Sequence, residues 1–251
     1  CILASEFWVR IHYCGAHPLS LALSLAARQR PPPLLSSAVY LREEATNAFR
    51  GTGQTSMGNI FLSGVGGQGI LLAAKIIADA AAHAGFEVAA NEIHGMAQRG
   101  GSVTAQVRYG RAVLSPLILE GTADVLAALE HIEAIRCAHL LRPGGFAAIS
   151  RQSLVPVTVS SGGAAYPTDV AARLARLFPN RCYFDCTAKA LAMGDARLAN
   201  TLLVGILSRA LADLPAEAWH AAIRGRVPAK TLAGNLAAFD FGRNEADDSI
   251  S

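Results

Sequence analysis

The chain has 251 residues, of which 52% are hydrophobic and 16% charged, with a formal net charge of +3. This is enough apolar material for one large core or two small ones. Lysines and arginines are scattered rather than gathered on one face, and no uninterrupted apolar run reaches the roughly 20 residues of a membrane span, so neither nucleic acid nor a membrane is expected as a partner.

Alanine and leucine dominate while aromatics are 6%, a composition suited to helices packed closely on a sheet. The five cysteines, Cys1, Cys14, Cys137, Cys182 and Cys186, are odd in number and widely spaced, with no C-x-x-C pair. Reduced thiols in a cytoplasmic protein are expected, and no iron–sulfur cluster, because cluster-binding runs need several cysteines at tight spacing.

Residues 1–56 are expected to lie outside the fold as a non-domain N-terminal extension, disordered or artefactual. The first methionine is Met57, ahead of the apolar run Ile60-Phe61-Leu62, and Pro31-Pro32-Pro33 blocks any helix continuing from Leu19 to Ala27. The domain is expected over 57–243, with an acidic disordered tail over 244–251.

Strand Ile60 to Leu62 leads into Gly64-Val65-Gly66-Gly67-Gln68-Gly69 and then a helix over Ile70 to Ala84. A strand, a glycine-rich turn and a helix present free backbone N–H groups to an anion at the helix N-terminus. The spacing Gly64-x-Gly66-x-x-Gly69 fits the dinucleotide fingerprint, yet the acidic residue expected about twenty positions on is represented only by Glu87 and Glu92. The same glycines equally serve close packing of strand on helix. Within the helix Lys75, Asp79 and His83 form one polar stripe, which reads as a solvated edge.

A second strand over Glu87 to Ala90 runs into the polar loop Asn91 to Gly101, which carries Glu92, His94, Gln98 and Arg99 among three glycines. Val103 to Tyr109 alternates as a half-exposed strand, with Val113-Leu114 expected to return beside it as a hairpin. Asp124 to Leu129 reads as a buried strand and Ile132 to Leu141 as a helix. Pro143-Gly144-Gly145 is expected to stop that helix before a strand at Phe146 to Ile149. Further on, strands are expected at Val155 to Val159 and Arg181 to Asp185. Helices are expected between Pro167 and Pro179, over Arg197 to Leu214, over Ala216 to Arg224 and over Ala229 to Phe239. Strand and helix alternate, which predicts an α/β fold: a mostly parallel sheet with helices on both faces, Rossmann-like and three-layered, with room for an antiparallel hairpin at one edge.

The two glycine-rich loops together carry a resemblance that neither carries alone. Gly64 to Gly69 with Glu92-Ile93-His94-Gly95-Met96-Ala97-Gln98-Arg99-Gly100-Gly101-Ser102-Val103, followed by Ser115-Pro116-Leu117-Ile118 and Ala123-Asp124-Val125-Leu126, resembles the gamma-type domain of the 2-oxoacid:ferredoxin oxidoreductases. Within that group it is similar to the beta-subunit family of the indolepyruvate ferredoxin oxidoreductases. The resemblance runs from about Met57 to Gly242 and includes Arg142 to Gly145, Tyr166-Pro167, Asn200 and Asn235 to Phe239.

The resemblance implies a complex, heterodimeric or heterotetrameric, that oxidatively decarboxylates indolepyruvate or another aryl 2-oxoacid to an acyl-CoA and passes electrons to ferredoxin. It places thiamine diphosphate, Mg and the iron–sulfur clusters on a large alpha subunit. This chain alone is then expected to be inactive, to bind no cofactor by itself and to contribute no catalytic or metal residue. Gly64, Gly66, Gly67, Gln68, Gly69, Arg99, Gly100 and Gly101 are the candidate contacts to CoA or to the partner subunit, with the CoA phosphates the expected anion. Two readings stay open beside it: Arg99 paired with Glu92 to brace the loop, and His94 as a structural residue. Two other classes of function also remain: a self-contained dinucleotide-binding protein and a purely structural interaction subunit.

Overall fold

The computed structural model describes residues 57–94, 101–154 and 169–246. Among them are six strands: β1 (Gly58–Val65), β2 (Glu87–His94), β3 (Ser102–Gly110), β4 (Ala123–Ala128), β5 (Leu141–Ser150) and β6 (Arg181–Phe184). Seven α-helices accompany them: α1 (Ile70–His83), α2 (His131–Cys137), α3 (Val170–Leu177), α4 (Cys186–Ala192), α5 (Ala199–Ser208), α6 (Ala216–Arg226) and α7 (Ala229–Asn244).

The strands form one sheet in the order β2-β3-β1-β4-β5-β6. β1, β4, β5 and β6 are mutually parallel, and β3 alone runs against its neighbours β1 and β2. β1 and β4 are nearly continuous apolar runs because both their faces are covered, as a parallel centre requires. On one face Ile60, Leu62, Val125, Ala127 and Ala148 meet α1, α4, α5, α6 and α7; on the other Leu126, Ala128, Ala147 and Ile149 meet α2 and α3. The expected three-layer α/β arrangement is therefore present.

Helix α5 is apolar all round because it is buried all round: it lies on β4 and β5 and is covered in turn by α7. The close approach of α5 to α7 depends on two glycines. A Cβ on Gly205 would collide with the carbonyl of Phe239, and one on Gly242 with the carbonyl of Leu202. The Lys75, Asp79, His83 stripe of α1 is a solvated edge as read: Lys75 and His83 are exposed and Asp79 pairs with Arg226 on α6, with Arg226 Nη2 donating to Oδ1 at 2.7 Å.

Several expectations change in detail. The alternating strand Val103 to Tyr109 does form a hairpin, but with β2, and on its other side it pairs with β1. Val113-Leu114 is not a strand. With both edges of β3 taken, the segment after it crosses the sheet face instead, held where Arg108 Nη1 donates to the Ser115 carbonyl at 2.8 Å and Ile118 N donates to Gln106 Oε1 at 2.6 Å.

Strand β2 continues to His94, taking the first four residues of the expected loop. Pro143-Gly144-Gly145 does not end a helix. Helix α2 ends at Cys137 and a single 3₁₀ turn leads into β5, where the three residues form a bulge between the Ala123–Leu141 and Val125–Phe146 pairs. Proline and a glycine at φ 72° mark a bulge as readily as a helix end.

The long helix expected over Arg197 to Leu214 is α5 alone, ten residues long. It is preceded by a 3₁₀ turn that the Asp195 side chain caps. The strand expected at Val155 to Val159 and the helix opening at Pro167 lie outside the described residues; α3 begins at Val170 and ends before Pro179. At the C-terminal end, α7 reaches Asn244 and Ala246 is buried, beyond the domain end expected at 243.

Candidate functional site: the glycine rim at the strand ends

The C-terminal ends of β1, β4, β5 and β6 share one edge of the sheet, together with the end of β2 and the start of β3. The chain leaves β1 for one face through α1 and leaves β4 for the other face through α2. Connections that diverge in this way leave a crevice between the two strands, the usual ligand position in open α/β sheets. The loop Gly64 to Gly69 lies on one side of that crevice.

Within the loop, Gly66 N donates to the carbonyl of Gly101 at 2.9 Å and Gln68 N to that of Val65 at 3.1 Å. The first bond joins the two glycine-rich segments. Gly67 is exposed at φ 98° with open space around its Cα; Gly69 has φ 86° and lies against the buried side chain of Asn200. Both conformations favour glycine. Ala73 N and Asn200 Nδ2 both donate to the Gly69 carbonyl, at 3.0 and 3.4 Å, which fixes the start of α1. A cleft of about 330 Å³ opens on the β3 side, lined by Val65, Gly66, Gly67, Gly69, Ile70 and Val103.

Gln68 does not point into that cleft's ligand space as a donor in waiting. Its Oε1 accepts from Val65 N at 2.6 Å, and its Nε2 donates to the Leu129 carbonyl at 2.9 Å and to Gln152 Oε1 at 2.8 Å. Gly64 is small for the same reason, since a Cβ there would come within 2.8 Å of Gln68 Oε1. Of the eight candidate contacts, then, Gly64, Gly66, Gly67, Gln68, Gly69 and Gly101 meet at this rim. Arg99 and Gly100 lie outside the described residues.

A set of polar residues that the sequence reading passed over supports the rim from behind. Glu130 caps α2, its Oε2 accepting from Glu133 N at 2.9 Å. Glu133 in turn accepts from Ser102 Oγ and from Arg136 Nη1, each at 2.6 Å, and so pins the start of β3 to α2. His131 Nδ1 lies 3.0 Å from the Tyr183 hydroxyl. Burial, reinforced by the positive charge of Arg151, holds the His131 imidazole below its ordinary pKa, and burial raises that of Tyr183. A buried Glu-His pair directly after the apolar strand 124–128 was the available signal, because polar residues there stand at the strand's functional end.

The dinucleotide reading finds little support in this geometry. Gln68 spans the crevice where a pyrophosphate would lie, and the antiparallel β3 separates β2 from β1, so Glu92 is not beside the loop as a ribose ligand must be. Nor do the described cysteines suit a cluster: Cys182 and Cys186 are buried on the α1 face and Cys137 packs on the other. Burial pushes the Cys137 thiol up to about 11, and Cys186 is also raised. Among the described residues no group of three or more His, Cys, Asp or Glu could hold a metal ion, and no helix is long and apolar enough to cross a membrane.

The α/β fold of this domain is that of oxidoreductase gamma subunits. The chain superposes on the gamma subunit of a keto/oxoacid ferredoxin oxidoreductase from Geobacter sulfurreducens with a TM-score of 0.57 at 24% identity, over 75% of this chain and 98% of that one. It superposes equally on a 2-oxoglutarate:ferredoxin oxidoreductase from Magnetococcus marinus, solved with 2-oxoglutarate, coenzyme A and succinyl-CoA (TM-score 0.56, 23% identity), covering 76% of this chain and 31% of that one.

Residues 59–245 match the pyruvate ferredoxin/flavodoxin oxidoreductase family, and the chain belongs to it. Relatives named indolepyruvate oxidoreductase subunit IorB are 38% identical: that of Thermococcus kodakarensis over 76% of this chain and 97% of its own length, and that of Pyrococcus horikoshii over 77% and 98%. The resemblance read from the two glycine-rich loops is thereby borne out. These relatives are subunits of oxidoreductases that act as complexes.

Proposed function

We propose that this chain is the subunit without clusters of a complex that oxidatively decarboxylates indolepyruvate, or another aryl 2-oxoacid, to an acyl-CoA with ferredoxin as acceptor. Its partner is a large alpha subunit that carries thiamine diphosphate, Mg and the iron–sulfur clusters. On that partner, thiamine diphosphate would supply the carbanion stabilisation that decarboxylation needs and the clusters a one-electron route to ferredoxin. This chain's contribution is shape and charge at the rim. Gly67, Gly69, Arg99, Gly100 and Gly101 are the proposed contacts to the partner and to CoA phosphate, while the N–H groups of Gly66 and Gln68 are used within the rim itself.

The observation that best supports this reading is the 2.9 Å bond between Gly66 N and the carbonyl of Gly101, two residues after Arg99 in sequence, which ties Gly101 to the glycine loop ahead of α1. A helix N-terminus favours an anion, and an arginine adds a charge-assisted, bidentate contact to phosphate. The family relatives at 38% identity support the indolepyruvate branch.

Arg99→Ala in the assembled complex tests the anion role. Loss of one charge-assisted contact predicts a KM for CoA raised about tenfold to a hundredfold, with assembly and kcat retained. Weakened assembly with an unchanged CoA dependence would show instead that Arg99 braces the loop or the subunit contact.

A further inference from the structure

We propose that Gln68 is a positioning residue: its side-chain amide fills the crevice between β1 and β4 and latches together the loops that follow β1, β4 and β5, so that the Gly66–Gly101 rim keeps one shape. The proposal rests on the reading of that rim as the contact surface for CoA and the partner.

Four observations carry it. First, the amide reaches all three loops at once, through Val65 N, the Leu129 carbonyl and Gln152 Oε1, at 2.6, 2.9 and 2.8 Å. Second, the orientation of the amide is dictated by its partners. A backbone N–H can only donate and a backbone carbonyl can only accept, so Oε1 must face Val65 and Nε2 must face Leu129. Both Nε2 hydrogens are spent, and neither remains for a ligand.

Third, the loops being latched are themselves tied to the sheet and to each other: Leu129 N donates to the Ser63 carbonyl of β1 at 3.0 Å, Arg151 N to the Phe184 carbonyl of β6 at 2.8 Å, and His131 N to the Gln152 carbonyl at 3.2 Å. Gln68 therefore anchors to fixed points rather than to another mobile loop. Fourth, Gly64 leaves room for the latch, since a Cβ there would press on Gln68 Oε1 and on Ile70. The glycine that opens the fingerprint thus serves a side chain, where in a dinucleotide fold it would serve the cofactor's approach.

The test uses the full chain assembled with its large partner subunit and three variants: Gln68→Ala, Gln152→Ala and the double change. Amide exchange across 64–69 and 101–104, melting temperature, and steady-state kinetics with CoA are measured for each. Loss of three hydrogen bonds predicts that Gln68→Ala speeds exchange in both segments by about tenfold or more while the amides of α7 stay protected. Gln152→Ala has a smaller effect, and adds nothing in the Gln68→Ala background, because the bond it removes is already gone. The KM for CoA rises with kcat held, which a general loss of stability would not produce.

Unchanged exchange at the rim in Gln68→Ala, or full additivity of the two changes, overturns the latch. Faster exchange with an unchanged KM for CoA upholds the latch and instead removes CoA from the rim. Should Gln68→Ala fail to fold, Gln152→Ala alone must still quicken exchange across 64–69, and its failure to do so overturns the proposal as well.

Discussion

Replacing Gly205 by alanine is expected to destabilise the chain by about 3 kcal/mol, near the upper end for one added methyl in a packed interior. The methyl would meet the backbone carbonyl of Phe239, which cannot rotate away as a side chain can, and the reciprocal site at Gly242 is equally filled by the Leu202 carbonyl. To admit it, α5 and α7 must separate. α5 is buried along its whole length between β4, β5 and α7, so the separation disturbs the core on one face of the sheet. For a domain of this size the melting temperature should fall by about 6–12 °C.

Gly225→Ala in α6 is the control. It has open space around its Cα, and the substitution should gain about half a kcal/mol from helix propensity. Urea unfolding of the two variants measures both. A loss below about 1 kcal/mol at Gly205 would mean that the helices are not in backbone contact.

The second large effect is expected at Gly69, where two costs coincide. Its φ of 86° penalises any Cβ by about 1–2 kcal/mol. The new methyl would also strike the amide of Asn200, which is buried and already holds Thr201 N at 2.7 Å and the Gly69 carbonyl at 3.4 Å. Displacing it leaves polar groups unpaired, worth about another 1–3 kcal/mol. Gly67→Ala separates the two contributions, because Gly67 has φ 98° but no atom near its Cα and should lose only the backbone part. Gly69→Ala is accordingly expected to be at least twice as damaging in unfolding free energy and to depress the activity of the assembled complex more than tenfold. Equal losses at the two positions would show that Asn200 does not hold the rim.

The fold was legible in the sequence wherever burial was two-sided. Ile60 to Leu62 and Asp124 to Leu129 read as strands from their unbroken apolar runs, which exist because both faces of those strands are covered. What was not legible was pairing at long range. Nothing in Val103 to Tyr109 says that this strand inserts between β1 and β2, and its strict alternation instead suggested a local hairpin with Val113-Leu114. The Pro143-Gly144-Gly145 run was ambiguous in kind, since a helix stop and a bulge use the same residues.

At the site, the residues were found and their division of labour was not. Spacing alone assigns Gly64, Gly66 and Gly69 to a pyrophosphate, and only the three-way bonding of Gln68 shows that part of the motif is turned inward. The supporting residues fall in three separate stretches, Glu130 to Glu133, Gln152 and Tyr183, and only the sheet order brings these to one edge.

The proposed role of the chain is that of the cluster-free partner in a 2-oxoacid oxidoreductase. The most direct measurement is reduction of ferredoxin by indolepyruvate and CoA, with the chain alone, with a large subunit carrying the thiamine and cluster motifs alone, and with the two together. That role predicts turnover only when both are present, accompanied by a stable complex and by a colourless preparation of this chain on its own. Turnover by this chain without the large subunit, or a mixture that neither associates nor reduces ferredoxin with any aryl, branched-chain or simple 2-oxoacid, would contradict it.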